Sequence, residues 1–364
     1  MDTTTSITNH PVALTEALEH HGAGTATVYL PSPSDNLEAD DRFSIRRRNV
    51  AGLLDKAGAS PATIATIETA LENCEHGDGE GFVVVARDEE LVLVHETRRP
   101  IDGDHVAVGP LPQLLPAIAA TQHDLPHLAV LLDRTGADLF LRSGPGAVVA
   151  IDESEGDDTR IQRSHPGGWS QRRFQQIAEN AWENNAKDVV ADILSAHPDV
   201  ELLVVGGDVR AVGFFEEHVP ERLRPVLHAP GSRQSDHEAF LAAADTLIAD
   251  VVARQMTEVL QEVRGAVKSG GGVEGDEVLD LLSQGRVRRL IVGDDTLEDD
   301  RPTAYFDLAG GFRSGPEAPD GSKGVEAVST DAALFLALRL GVEVIVAPSS
   351  AIRAVPPLAA VLHE

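Results

Sequence analysis

Two spacings of apolar residues alternate along the chain, one of two residues and one of three to four, and they predict strands and helices in turn. The β-branched run Thr25–Leu30 predicts a buried strand, and Gly81–Glu96 predict a hairpin around an acidic turn. Helical spacing covers Leu37–Lys56 and resumes after Ser60-Pro61, a pair that is typical of a helix start. Residues 1–126 are therefore predicted to form an N-terminal α/β domain.

The middle of the chain begins with three short strands that are separated by glycine-containing turns. These strands are predicted at His127–Asp133, Ala137–Arg142 and Ala147–Ile151. A long amphipathic helix, a buried strand at Val200–Gly207 and a second long helix at His237–Val263 follow. We predict a middle domain over residues 127–264.

The last part of the chain follows a glycine-rich break and again alternates helix and strand. A helix that stops at Gly285, a strand at Arg288–Gly293 and a helix that starts near Ser329 predict a small α/β/α sandwich over residues 265–364. An acidic run, Asp294–Asp300, follows the first of these strands and is typical of a solvated surface.

Residues Arg160–Lys187 stand out by charge, because they carry five basic and two acidic residues in a chain whose net charge is -29. At their centre, His165-Pro166-Gly167-Gly168-Trp169-Ser170-Gln171 combines a rigid proline with two glycines that can adopt positive φ. Helical spacing follows, with Ser170 as a candidate N-cap. We predict a presented loop over residues 164–173. Three arginines mark its base: Arg163, Arg172 and Arg173.

Trp169 admits two interpretations. In the first its ring caps the following helix and is shielded from solvent, and in the second the ring is exposed at the loop tip and stacks on a base. Stacking of that kind contributes about 1 to 3 kcal/mol per base. Arg172 and Arg173 would then add phosphate contacts that weaken with salt. The second interpretation makes this loop an RNA-contacting element.

These residues resemble the middle domain of the archaeal and eukaryotic class-one peptide-chain release factors and of their relative Pelota. Gly167-Gly168 correspond to the glycine pair of the family's Gly-Gly-Gln loop, and Arg173-Phe174 to its Arg-Phe pair. The alanine-, glutamate- and asparagine-rich run that ends at Val190 corresponds to its long helix. A closer resemblance, over nearly the whole chain, is to the bacterial branch of this family, which includes dormancy-associated ribosome hibernation factors.

The resemblance implies a three-domain α/β architecture with a ribonuclease-H-like middle domain and an L7Ae-like C-terminal domain. It implies a tRNA-mimicking factor that occupies the ribosomal A site, contacts rRNA of both subunits and directs the Gly-Gly-Trp loop to the peptidyl-transferase centre. A translational GTPase or the large-subunit stalk base is the further partner that it implies. Trp169 stands where the family has its catalytic glutamine, so no enzymatic step is expected. The alternative is a peptidyl-tRNA hydrolase or rescue factor that uses Gln171, two positions later.

A second basic cluster lies in the first long predicted helix, at Arg42 and Arg46–Arg48. Such a cluster is commonly a solvated face that pairs with acidic neighbours, here Asp40, Asp41 and Asp55. The resemblance instead directs this domain to the decoding region, although the family's Asn-Ile-Lys-Ser codon-reading loop is absent from the sequence. The ribosome-binding residues that the resemblance implies are Arg163, His165, Gly167, Gly168, Trp169, Ser170, Gln171, Arg172, Arg173, Arg46, Arg47 and Arg48.

The total charge counts against a general nucleic-acid binder, because phosphate contacts supply most of the affinity of such proteins. Screening over about 8 Å at physiological salt leaves a basic loop tip little affected by acidic surfaces elsewhere. An acidic protein-interaction module without a ribosomal role is therefore a third hypothesis.

Other chemistries find little support in the sequence. Cys74 is the single cysteine and the 14 histidines form no HExxH pair, so we predict no disulfide and no metal site. The glycine spacing of Gly206–Gly213 differs from a dinucleotide fingerprint and predicts a strand-to-helix turn shaped by Asp208 and Arg210. Neither Ser164, beside His165, nor Ser170 has an identifiable acid partner or a nucleophile elbow, so a hydrolase triad finds little support. Without a cofactor motif, a signal sequence or an apolar run of membrane length, a cytoplasmic protein is expected.

Overall fold

The computed structural model describes the backbone of residues 12–17, 22–32, 37–74, 81–97, 101, 103–122, 125–144, 147–155, 170–198, 200–234, 237–294, 302–306, 312–313 and 325–363. Contacts between residues divide the chain into two compact units. Asp124–Arg254 make up most of the first, the middle unit, whereas Ile7–His123 and Gln255–Glu364 together form the second, the composite unit. The division into three domains at 126/127 and 264/265 stays a prediction.

Nine helices lie within the described residues: α1 (Val12–Ala17), α2 (Leu37–Ala57), α3 (Pro61–Glu72), α4 (Leu115–Thr121), α5 (Ser170–Ala196), α6 (Val209–His218), α7 (His237–Ser269), α8 (Glu277–Ser283) and α9 (Ser329–Arg339). The strands of the same part of the chain are β1 (Thr25–Pro31), β2 (Gly81–Arg87), β3 (Glu90–Thr97), β4 (His105–Gly109), β5 (His127–Leu132), β6 (Gly136–Gly144), β7 (Ala147–Glu155), β8 (Leu203–Gly207), β9 (Leu227–His228), β10 (Gly272–Glu274), β11 (Val287–Gly293), β12 (Thr303–Phe306), β13 (Phe312–Arg313), β14 (Val325–Val328), β15 (Glu343–Ala347) and β16 (Leu358–Leu362).

The middle unit is built around a five-stranded sheet with the order β7-β6-β5-β8-β9. β7, β6 and β5 are antiparallel neighbours, and β8 and β9 continue the sheet parallel to β5. All six residues of β5 are buried, as expected of a central strand that has layers on both faces. The three predicted antiparallel strands and the buried strand after the long helix are confirmed.

Helices cover both faces of this sheet. On one face, Val189 and Ile193 of α5 pack with Val130 of β5 in a single buried cluster, to which α6 also contributes. On the other face, Phe240 of α7 packs against Phe140 of β6, with ring centroids 6.4 Å apart. Each of these buried side chains contributes about 1.5 to 3 kcal/mol relative to its exposed state. The apolar face of α5 is therefore fixed to the sheet.

The composite unit contains two four-stranded sheets among its described residues. The sheet β3-β2-β1-β4 is antiparallel throughout, and α2 and α3 pack on one of its faces. The sheet β10-β16-β11-β15 is mixed, because β11 runs parallel to β15 and antiparallel to β16. One hydrophobic core joins residues of both segments, among them Leu14 and Ile118 from the first and Val278 and Ala360 from the second.

An amide side chain also links the two segments of the composite unit. Gln122 donates from Nε2 to the carbonyl oxygen of Val346 over 2.5 Å, and its Oε1 accepts from the Val346 N–H over 2.8 Å. Val346 lies in β15, the outer strand of its sheet as far as the described residues show. Both residues are buried, so the side chain satisfies backbone groups that would otherwise be unpaired away from water.

Some boundaries differ from the sequence-based predictions. α7 extends to Ser269 instead of Val263, because Val263 and Val267 pack against the sheet of the composite unit, and it ends before Gly270, whose φ is 81°. The strand β16 has no counterpart in the predictions, since its alanine-rich sequence has a weak strand signal. Pairing with β10 on one side and β11 on the other overrides that local preference. None of the described helices is long and apolar enough to cross a bilayer.

Candidate functional site

The predicted presented loop lies largely outside the described residues, including Arg163, His165, Gly167, Gly168 and Trp169. Ser170 is the first residue of α5. Gln171, Arg172 and Arg173 lie in the first turn of this helix, and their side chains are likewise outside the described part. The structure therefore describes the framework from which the loop starts and to which it returns.

α5 is anchored through its second half. Asn180 and Asn184 are exposed, whereas Asn185, Ala186 and Val189 are buried against the middle unit. Between Ser170 and Asn185 an α-helix rises about 22 Å. The basic pair at the loop base, Arg172 and Arg173, thus precedes these buried residues by more than three helical turns.

The other end of the loop leaves the sheet beside the turn between β5 and β6. β7 ends at Glu155, which pairs with Gly136, the first residue of β6. Residues 156–169 therefore connect this end of the sheet to the start of α5. A chain of that length extends over at most about 45 Å. It is long enough to follow the first turns of α5 to the helix N-terminus.

Asp133 holds the turn between β5 and β6 together. Its Oδ1 accepts hydrogen bonds from the backbone N–H of Thr135 at 2.7 Å and of Gly136 at 3.0 Å. Arg233 donates to the same oxygen over 3.1 Å and pairs with Asp138 at 2.7 Å. Burial opposes ionisation, but the hydrogen bonds from Thr135 and the pairing with Arg233 lower the pKa of Asp133 below its ordinary value. The turn is thus a charged, fully bonded element rather than a loose connection.

Arg134, next to Asp133 in this turn, connects α5 to α6. Its guanidinium carbon lies 4.6 Å from the ring centroid of Trp182 in α5. Its Nε and Nη2 atoms each lie 3.2 Å from Oδ2 of Asp208, which precedes α6. The carbonyl oxygen of Arg134 accepts a hydrogen bond from Nδ2 of Asn185 over 3.0 Å. One turn residue therefore contacts α5 at both Trp182 and Asn185.

The junction between β8 and α6 is shaped by Gly207 and Asp208. Gly207 has a φ of 121°, and a Cβ atom there would lie 1.8 Å from the carbonyl oxygen of Leu132. Asp208 caps α6, because its side chain accepts hydrogen bonds from the backbone N–H groups of Arg210 at 3.0 Å and Ala211 at 3.3 Å. The predicted strand-to-helix turn is confirmed, and Gly207 packs too closely against β5 for a phosphate to lie between them.

The second basic cluster lies in α2 of the composite unit, and Arg46, Arg47 and Arg48 each have a partner within the chain. Arg46 pairs with Asp104 at 2.8 Å. Arg47 donates to the carbonyl oxygen of Leu71 over 3.1 Å. Arg48 is exposed, and it donates from Nε to the carbonyl oxygen of Ser44, one turn earlier in the same helix, over 3.2 Å. A phosphate contact of Arg46 or Arg47 would compete with these partners, whereas Arg48 faces solvent.

The sequence predicts Trp182 on the apolar face of a helix and Asp208 in a turn. No sequence pattern indicates that both residues contact the same arginine. Arg134 was absent from the predicted site, and its only sequence signal is a charged residue in a tight turn directly after a buried strand. Among the described residues, no group of three or more His, Cys, Asp or Glu side chains could hold a metal ion.

Residues 126–268 match the family described as "Bacterial archaeo-eukaryotic release factor family 2". No curated protein sequence matches the chain at a significant level. Among solved structures, the chain is similar to the archaeal translation termination factor aRF1, at 14% identity over 96% of both chains and a TM-score of 0.23. It is similar to archaeal Pelota in a model of ribosome-bound Pelota and ABCE1, at 14% identity over 96% of this chain and 93% of that one, with a TM-score of 0.40. Dom34 of S. cerevisiae is 10% identical over 95% of this chain and 91% of its own, with a TM-score of 0.34.

Proposed function

Residues 126–268 belong to the bacterial archaeo-eukaryotic release factor family, and from this premise we propose that the protein is a tRNA-mimicking factor that binds the ribosomal A site during stress or stationary phase. The family match confirms the resemblance that was read from the loop and the long helix. In this proposal the Gly-Gly-Trp loop points to the peptidyl-transferase centre, and its presence blocks elongation. Such a role would be carried out in the cytoplasm.

The construction of α5 carries the proposal. The described buried residues of α5 begin at Asn185, and Ser170 starts the helix about 22 Å earlier along its axis, so α5 is long enough to carry a loop far from this anchored end. A loop that enters the narrow space of an aminoacyl end needs such a support. The basic residues Arg163, Arg172 and Arg173 at its base would contact rRNA phosphates on the way in.

The remaining architecture supports the same assignment. The order β7-β6-β5-β8-β9, with three antiparallel strands continued by two parallel ones, supports a ribonuclease-H-like middle domain. The mixed sheet β10-β16-β11-β15, with α7, α8 and α9 packed around it, supports an L7Ae-like C-terminal domain. Asp294 opens the acidic run of this domain, which would meet a translational GTPase or the large-subunit stalk base. Arg46–Arg48 would face the decoding region, with Arg48 as the arginine most open to phosphate.

A chemical step is not part of the proposal. Gln171 is the second residue of α5, so its backbone is helical, whereas the family's catalytic glutamine follows the glycine pair directly in the loop. Trp169 occupies that position here. The alternative of a peptidyl-tRNA hydrolase requires the Gln171 side chain to reach back past Ser170 to the reacting ester. Occupancy needs no such reach, because it depends on shape and on charge at the loop base.

The test combines ribosome binding with a release assay. We expect the purified protein to co-sediment with vacant or stalled ribosomes and to release no labelled peptide from them. Peptide release that is lost in Gln171→Ala would replace the occupancy proposal by the enzymatic one. Failure to co-sediment at every salt concentration would contradict both and favour an acidic protein-interaction module.

A further inference from the structure

We infer that Arg134 is a positioning residue, which holds the packed part of α5 in place and thereby aims the first turns of that helix. The mechanical part of this inference concerns the middle unit alone. Its consequence for ribosome binding rests on the proposed function.

The side chain of Arg134 contacts two elements: Trp182 of α5 and Asp208, which caps α6. The guanidinium carbon lies over the Trp182 ring, 4.6 Å from its centroid, while Nε and Nη2 reach Oδ2 of Asp208 at 3.2 Å. A planar, delocalised cation can stack and bind a carboxylate at the same time, whereas the ammonium group of lysine cannot do both equally well. An arginine is therefore the side chain that suits this position.

Trp182 is restrained by this contact through the face of its ring. Its indole N–H is buried and has no hydrogen-bond partner among the described residues, so no described polar contact holds the edge of the ring. The contact through its face with Arg134 supplies the restraint, and the bond from Asn185 to the Arg134 carbonyl adds a second restraint one turn later. The contact point on α5 is thus held from the turn, not from within the helix.

The turn that bears Arg134 is itself rigid. Asp133 accepts hydrogen bonds from the backbone N–H groups of Thr135 and Gly136, and Arg233 donates to the same carboxylate. Asp208 is fixed to the end of β5, because its backbone N–H donates to the Leu132 carbonyl over 2.9 Å. Both partners of the restraint on α5 are therefore attached to the central strand of the sheet.

A small change in the direction of α5 at Trp182 causes a larger displacement at the loop, because the loop lies several turns away along the helix. Ser170 lies about 18 Å from Trp182 along a helix axis. A change of about 10° in the direction of the helix at Trp182 displaces its N-terminus by about 3 Å, whereas the donor–acceptor distances of hydrogen bonds span a range of only about 0.5 Å. Arg134 therefore sets the direction of the helical turn that carries Arg172 and Arg173.

The experiment compares Arg134→Ala with Arg134→Lys and with the control Arg224→Ala. Arg224 is likewise an arginine with two side-chain hydrogen bonds in the middle unit, to the backbone carbonyls of Val219 at 3.1 Å and Glu216 at 2.7 Å, but these bonds hold the end of α6 and not α5. Hydrogen exchange of the amides of residues 174–184 is expected to become about tenfold faster in Arg134→Ala, to change less in Arg134→Lys, and to stay at the wild-type rate in the control. In a Trp169→Phe background, the emission of Trp182 should shift in Arg134→Ala alone. Wild-type exchange in Arg134→Ala, or equal acceleration in the control, would overturn the inference.

Two further measurements keep the outcome decisive. If Arg134→Ala does not fold, Asp208→Asn removes the charge pairing while asparagine keeps a helix cap of similar strength, and the same acceleration is expected. Ribosome co-sedimentation of folded Arg134→Ala should be weaker than that of the control. Faster exchange with unchanged ribosome binding would overturn the positioning role. Absence of binding by the wild-type protein would instead overturn the proposed function, and the exchange data would still decide whether Arg134 holds α5.

Discussion

His127 illustrates how burial alone makes a single residue sensitive to pH. It opens β5 and is fully buried, with Nδ1 bonded to the carbonyl oxygen of Leu125 at 2.9 Å. Its Nε2 atom is buried and has no hydrogen-bond partner in the part of the chain that the structure describes. Burial lowers the pKa of His127 below its ordinary value, and the nearby Arg142 acts in the same direction. The folded middle unit therefore favours the neutral ring.

Replacing His127 with glutamine is predicted to reduce the loss of unfolding free energy that occurs when the pH falls. The unfolded chain takes up a proton at this histidine as the pH falls below about 6.5, whereas the folded protein resists protonation. The free energy of unfolding therefore keeps its full value above that pH. On acidification this histidine lowers it by at most about 1.4 kcal/mol per pH unit. Urea unfolding at about pH 7.5 and about pH 5.5 measures it. Tryptophan fluorescence reports on the middle unit, because both tryptophans, Trp169 and Trp182, lie there. If the free energy of unfolding falls by the same amount between the two pH values in both proteins, the prediction is contradicted.

The elements of the middle unit show where prediction from sequence succeeds and where it stops. Apolar spacing predicts α5 and its buried positions, such as Val190 and Ile193, because one helix face must meet the sheet. Ser170 was predicted as the cap and is the first helical residue, a difference of one position. The contact between Arg134 and Trp182 leaves no local signal, because only the sheet order brings a turn after β5 to a helix that follows β7.

The junction of β8 and α6 allows a sharp test at the scale of elements. Gly207→Ala should lower the stability of the middle unit by about 3 kcal/mol, because the φ of Gly207 strains any side chain and its Cβ would overlap the Leu132 carbonyl. Gly213→Ala is the matched control, since this glycine lies within α6 and no atom lies within 4 Å of its Cβ position. That change should raise stability by about 0.5 to 1 kcal/mol. Urea denaturation followed by tryptophan fluorescence measures both, and similar midpoints would refute this account of the junction.

At the scale of the whole molecule, the sequence predicts each segment's buried faces but not which segments share a core. The α/β character of both ends of the chain was predicted from local spacing. The common core that includes Leu14 and Ala360 joins residues at opposite ends of the chain, and the bond of Gln122 to Val346 does the same. Such long-range partners become visible only once the sheets are placed.

Gln122→Ala is predicted to weaken the composite unit by about 2 to 3 kcal/mol, because it leaves the buried N–H and C=O of Val346 without their partner. Gln284→Ala serves as the control, since Gln284 is exposed. Hydrogen exchange of the amides of β15 measures the effect, and it should accelerate in the first variant alone. Equal protection of β15 in both variants would show that the side chain does not hold this edge.

Charge reversal at the base of the loop tests how an acidic protein binds RNA. Arg172→Glu with Arg173→Glu should lower ribosome affinity about tenfold or more at about 0.1 M salt and reduce its salt dependence, because phosphate contacts are lost. Arg264→Glu with Lys268→Glu makes the same change of charge at two exposed positions of α7 in the composite unit. Co-sedimentation across a salt series compares the pairs. An equal loss in both pairs would mean that total charge, and not the loop base, governs binding.

A cryo-EM map of the ribosome with this protein bound tests the central claim most directly. The account predicts density for residues 164–173 at the peptidyl-transferase centre, with the indole of Trp169 against a base and α5 extending back to the middle unit through the A site. Density for the protein outside the A site, or a loop folded onto its own domain within it, would contradict the account.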